Sequence, residues 1–310
     1  MGIKATMQEK FAHWNFINKV LDNPIISKEL KGRMRGRQGF ILLTAYLALI
    51  SLMIVGVYYY SVSKWYAPDI GPNELQKLGK RIFSVVVLLE FLLIIFIGPA
   101  LTSGAISSER ERQTFDLLRV SLLSTRNLVL GKLSSAVAFL LLLILAALPL
   151  QSLAFFIGGV GLAELVISLV MLIVSTFLFC TLGLYFSVIA KRTIIATTLC
   201  YASLIFPVIM LVIMFYMLVN SGPDMSSMSL EVQRAFLLFI WMIFSTNPFT
   251  AAFITQQMLE QEQNLFLIYV PIPDLPLVLL SPWILYVTFA VTMTVLMIWL
   301  IVFYMNRHER

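Results

Sequence analysis

The chain has 310 residues, 60% of them hydrophobic and only 12% charged, with a net charge of +6 and a mean hydropathy of +0.92. That balance excludes an ordinary soluble domain and makes lipid the main solvent. Cys180 and Cys200 fall in apolar stretches, and His13 and His308 lie near opposite ends. The thiols therefore read as small hydrophobic side chains, and no metal, cofactor or nucleic-acid partner is expected.

Residues 1–39 carry eight Lys or Arg and no apolar run long enough for a secretory h-region. The first hydrophobic segment should therefore remain as an anchor. Within this arm Met7, Phe11, Trp14, Ile17 and Leu21 recur at helical spacing, which predicts an amphipathic helix lying in the headgroup region or packed on another protein domain. Asn23-Pro24 breaks it, because proline lacks an amide proton and restricts the residue before it. The basic residues Lys28, Lys31, Arg33, Arg35 and Arg37 follow, suited to anionic lipid, to an acidic partner or to a simple topology signal.

Crossing a hydrocarbon core about 30 Å thick takes roughly 20 apolar residues at about 1.5 Å each. Six stretches meet that requirement: 40–60, 82–101, 133–157, 165–190, 193–219 and 282–305. The second contains Glu90 near its middle, a placement costing about 3 kcal/mol on insertion scales. Such a carboxyl should be protonated, face other helices or line a watery cavity, so Glu90 is a candidate pathway residue or an interhelical fastening. Pro99 and Pro207 are candidate kinks in the second and fifth spans.

Between the second and third spans, residues 106–132 are too apolar for a solvated linker and too charged for lipid. Ser108 and Glu111 have capping-box spacing and predict a helix start. Phe115, Leu118 and Leu122 then form an apolar edge beside Glu109, Arg110, Glu111, Arg112, Asp116 and Arg119. A second start is expected at Ser124. The loop should lie at the interface or dock on a partner.

The stretch 236–254 is apolar but interrupted by Asn247-Pro248, and 265–280 contains Pro271, Pro273 and Pro276. Neither is a clean span, so 231–280 reads as a broken re-entrant or interfacial pair on the outer side, with its backbone polar groups covered by protein. With both termini inside, 17 of the 22 Lys and Arg fall on cytoplasmic segments, as the positive-inside rule requires. The expected fold is an all-α integral membrane protein with six spans. Residues 1–39 form a cytoplasmic arm, 40–305 a single transmembrane domain and 306–310 a cytoplasmic tail.

The run Ile106-Ser107-Ser108-Glu109-Arg110-Glu111-Arg112-Gln113-Thr114-Phe115-Asp116-Leu117-Leu118, with Leu123-Ser124 and Val129-Leu130-Gly131-Lys132 after it, resembles the coupling segment of ABC type-2 exporter permeases. The arm Asn23-Pro24-Ile25-Ile26-Ser27-Lys28-Glu29-Leu30 with Arg33 and Arg35 is similar to the connecting helix that precedes their first span. Gln113 stands where that family usually has glycine, and Ser121 to Ser124 lacks a proline often found there.

The resemblance implies a coupling helix that contacts a separate ATPase, carried here by Glu109, Arg110, Glu111, Arg112, Thr114, Phe115, Asp116, Leu118, Arg119 and Leu122. It also implies an outer re-entrant helix pair between spans five and six. Implied partners are two copies of a cytoplasmic ABC ATPase, a second permease copy or close paralogue, and membrane lipid. The location implied is a prokaryotic inner membrane. ATP and magnesium would sit on the partner, because G-x-x-x-x-G-K-[ST] is missing here: Arg126 and Leu133 flank Gly131-Lys132, and Glu74 and Arg81 flank Gly79-Lys80. No hydrolase motif of the G-x-S-x-G or H-E-x-x-H kind occurs either. The competing expectations are an ATP-independent transporter or channel using Glu90, and a noncatalytic scaffold whose loop recruits a partner.

Overall fold

A computed structural model describes residues 37–63, 72–114, 125–221, 229–260, 265–270 and 277–307. The amphipathic arm with Phe11, Trp14, Ile17 and Leu21, the basic residues Lys28, Lys31, Arg33 and Arg35, and the loop residues Phe115, Asp116, Leu118, Arg119 and Leu122 lie outside the described residues.

Among the described residues, six helices are long and apolar enough to cross a membrane. They are α1 (Arg37–Ser63), α2 (Pro72–Thr102), α4 (Thr125–Phe156), α5 (Leu162–Ile189), α6 (Thr193–Ser221) and α9 (Pro282–Arg307). Each covers one of the six apolar stretches to within one residue and extends beyond it at one or both ends. Such extensions are stable outside the hydrocarbon because helical hydrogen bonds continue there with water available at the termini. Both α2 and α6 continue as single helices through Pro99 and Pro207.

Helices α2 and α5 form the centre. Helix α5 packs on α2 and α9, and α2 packs on α4, α1 and α5. Small residues bring the α2–α5 pair together: a side chain at Gly183 would collide with Thr102 Oγ1 and come within 3.0 Å of Pro99 Cα. Among helices with no water to expel, close backbone approach is a main source of association energy. A second tie is a buried hydroxyl pair, Ser175 Oγ and Tyr286 OH at 2.5 Å, joining α5 to α9.

After α6 the chain forms α7 (Leu230–Thr246) and α8 (Pro248–Glu260), bent by 111° across Asn247. Pro248 cannot donate an amide proton to continue α7. The Asn247 Oδ1 instead accepts the Phe249 amide at 2.9 Å and starts a new helix. The break falls at the Asn247-Pro248 interruption read from the sequence, although the pair expected there is 236–254 with 265–280 and both helices lie before 261.

The stretch 265–280 differs from its expected interfacial reading. It holds β1 (Leu267–Val270) and β2 (Leu277–Leu280), paired antiparallel with Leu267 opposite Leu280. Two indoles pin this ribbon, Trp241 Nε1 donating to Leu280 O at 3.0 Å and Trp283 Nε1 to Leu265 O at 2.9 Å. Strand pairing satisfies the backbone groups of a segment whose prolines forbid a helix.

Candidate functional site

The short connection from α2 to α4 gathers the polar contacts of the bundle at one end. Helix α3 (Ser107–Glu111) is only five residues long and follows α2 through a tight turn. The capping box expected from Ser108 and Glu111 does not form: the residue at the start of α3 is Ile106, which has no side chain able to cap and is already helical in φ and ψ. The reason is that the preceding turn supplies acceptors, with Ser108 N donating to Gly104 O and Arg110 N to Ile106 O, both at 3.1 Å. The amides of Ile106 and Ser107 instead donate to Ser187 Oγ of α5, at 2.9 and 3.0 Å. A hydroxyl 80 residues away in sequence performs the capping.

Charged side chains of α3 also reach into the bundle. Lys132 Nζ on α4 donates to Glu109 Oε1 at 2.6 Å and to Ala105 O at 2.7 Å. Lys132 is 5% exposed, so loss of Glu109 would leave a nearly buried cation without its carboxylate, toward the lower end of roughly 3–5 kcal/mol. Arg110 donates to Val188 O near the end of α5 at 2.7 Å. Glu111 accepts the Thr193 amide and hydroxyl, each at 2.9 Å, at the start of α6. Those two bonds, and the nearby Arg192 charge, hold the Glu111 carboxyl below its ordinary pKa.

A hydroxyl ladder continues upward between α2 and α6. Ser103 Oγ and Thr197 Oγ1 lie 3.0 Å apart, and Tyr201 OH donates to Phe96 O at 2.6 Å. Helix α3 closes with Gln113 in the left-handed region at φ 56°. Gln113 N donates to Arg110 O at 3.1 Å and Thr114 N to Glu109 O at 3.0 Å, the paired bonds of a Schellman motif. Arg112 and Thr114 are exposed.

Of the coupling residues named from sequence, the structure thus gathers Glu109, Arg110 and Glu111 against three spans and leaves Arg112 and Thr114 on the surface. Their partners Lys132, Val188 and Thr193, and Ser187 that receives the Ile106 and Ser107 amides, were not among the candidate site residues of the sequence. The available hints were a lysine on the apolar side of a span's first turns and polar residues flanking the short turn between two spans.

A family profile described as ABC-2 family transporter protein matches residues 23–306. The chain belongs to that family. No curated protein matches it significantly. The match agrees with the resemblance carried by residues 23–35 and 106–132, and makes the chain a membrane permease of an ABC transporter whose partner is an ABC ATPase.

Within the permease, Glu90 is placed away from the α3 end. It is buried between α1, α2 and α4, accepting a hydrogen bond from the Gln151 amide with the buried Tyr46 beside it. It is not among the residues lining the cavities between α2, α5 and α8 (about 100 Å³) or beside α6 (about 410 and 770 Å³). The first of these brings together Ser84, Glu164, Ser168, Thr255 and Gln256, with Gln256 Nε2 donating to Ser84 Oγ at 2.6 Å. None of those five stood out in the sequence, where Ser84, Glu164 and Ser168 are single polar residues among apolar ones and Thr255-Gln256 belong to a short polar run.

Proposed function

We propose that this permease works in an ATP-driven exporter of a prokaryotic inner membrane, with both termini cytoplasmic. It pairs with a second copy or a close paralogue and is driven by two ATPase subunits that hold ATP and magnesium. The loop 107–122 receives their motion, and the spans rearrange from inward-open toward outward-open. ATP has to favour one conformation over the other, since equal affinity for both would shift nothing.

One observation carries this reading: the described part of the loop is bonded to α4, α5 and α6 at once, at one end of the bundle. A tether built only to close a connection between two helices needs no such bonds. The basic flanks of the spans support the orientation.

The test is purification of the tagged chain from its native membrane. An ABC ATPase is expected to co-elute, and replacing residues 115–122 with a Gly/Ser linker of equal length should release it while the chain still inserts. Elution of the intact chain without any ATPase overturns the reading.

A further inference from the structure

We infer that the charged run Glu109-Arg110-Glu111 is the inward grip of the coupling segment, one side chain on each of three spanning helices, and not its docking surface for the ATPase. The inference rests on the proposed coupling role of the 107–122 loop and assigns these three residues a different task within it.

Three consecutive residues on an α-helix spread over about 200° of its circumference, at 3.6 residues per turn. Their long side chains nevertheless all find partners, on Lys132 of α4, Val188 of α5 and Thr193 of α6, with Glu111 doing so at the surface. The bonds also fall on groups that helices leave unsatisfied. Val188 O belongs to the last turn of α5, and the Thr193 amide to the first turn of α6. Arg110 and Glu111 therefore hold the two sides of the turn Ala190-Lys191-Arg192, which joins those helices.

A displacement of α3 must then carry that turn with it or break the bonds. Of the helices so joined, α6 is the one most free to follow, because among its described residues only Ala196 and Cys200 are buried, whereas half of those in the most apolar stretches of α4 and α5 are. Tight cores resist continuous deformation, so motion goes to the element with least packing. The grip thus directs the ATPase stroke into α6. Arg112 and the loop beyond Thr114 are left to meet the partner.

The test uses the complex in lipid bilayers, with spin labels at Phe156→Cys and Val219→Cys, exposed positions near the ends of α4 and α6 farthest from α3. Cys180 and Cys200 are buried. Labelled copies are diluted with unlabelled ones, and the label-to-label distance is compared without nucleotide and with ATP trapped by vanadate. Glu111→Ala and Thr193→Val should keep the ATPase co-eluting at wild-type stoichiometry yet lose most of the ATP-dependent distance change. Thr193→Ser, which keeps both donors, should retain it. Loss of ATPase co-elution in Glu111→Ala with Thr193→Val unaffected would make the run a docking surface and overturn the inference. So would a full distance change in both Glu111→Ala and Thr193→Val. A wild-type chain that brings down no ATPase removes the exporter reading itself, an outcome separate from either of these.

Discussion

Gln113 holds a backbone conformation at φ 56° that L-residues other than Asn and Asp rarely adopt. The Schellman closure of α3 requires it, since the Thr114 amide reaches Glu109 O only if the intervening residue turns left-handed. This gives a physical reason why glycine is usual there in the family and why the glutamine is a local cost. Gln113→Gly is expected to stabilise the closure by about 1 kcal/mol, less what glycine loses in chain entropy. Protection of the Thr114 amide from hydrogen exchange should rise up to about fivefold; unchanged or lower protection would show that the turn is not strained. Glu111 makes a pH prediction at the same scale. Its folded pKa is depressed, first by the Thr193 amide and then by the Thr193 hydroxyl. The stabilisation it gives is therefore present above the ordinary carboxylate pKa, about 4.3, and is lost as pH falls through the lower folded value. The Thr193 amide should keep its protection factor from pH 8 to pH 5 and lose it in Glu111→Ala at every pH. Loss of protection in the wild type already between pH 6 and 5 would contradict the assigned bonds.

Among elements, the seam between α2 and α5 leaves least room. Gly183 faces Thr102 and Pro99, and Gly98 stands 3.4 Å from Phe179 Cβ by the same measure. Gly183→Ala should push the helices apart or displace Thr102, lowering thermal stability in detergent, whereas Gly56→Ala, with nothing nearby, should not. Equal stability of the two variants would mean the seam yields easily. Glu90 offers a contrasting fastening, between α2 and α4. Glu90→Gln keeps a partner for Gln151 and should be near neutral, whereas Glu90→Ala should cost about 1 kcal/mol, the scale of interhelical hydrogen bonds in membranes. A Glu90→Gln variant that is stable but inactive in transport would instead mark the carboxyl as part of the pathway. The spans themselves were legible because an apolar run of bilayer length has few other solutions, and the break at Asn247-Pro248 because proline cannot continue α7. The ribbon at 267–280 was not: its prolines exclude a helix, but whether strands pair depends on Trp241 and Trp283, which approach only in the folded chain. The capping box failed for a similar reason, since Glu111 finds a better partner 82 residues away.

At the scale of the whole molecule, the α3 site was legible as a charged, apolar-edged loop but not as a junction, because Lys132, Ser187 and Thr193 are brought to it only by tertiary packing. The same packing distributes unevenly. Half of the residues in the most apolar stretches of α2, α4 and α5 are buried, against 11% in α1, and in α6 only Ala196 and Cys200 are buried among the described residues. Along α6, Val212, Tyr216 and Val219 are each more than 60% exposed and lie on one helical face. Apolar grooves of about 410 and 770 Å³ run beside the helix. Lipid tolerates such a surface, so exposure alone does not decide between lipid and a second subunit. The proposed pathway does require one choice: if it is enclosed between two permeases, the loosely packed helix that receives the α3 grip has to face it. Single cysteines at Val212 and Tyr216 should then form oxidant-dependent covalent dimers, with the same chain or with a paralogue, in native membranes. A cysteine at Leu145 on α4, equally bare at 61%, should not. Crosslinking at Leu145 but at neither α6 position would turn α6 toward lipid and leave the coupling segment gripping a helix that borders no pathway.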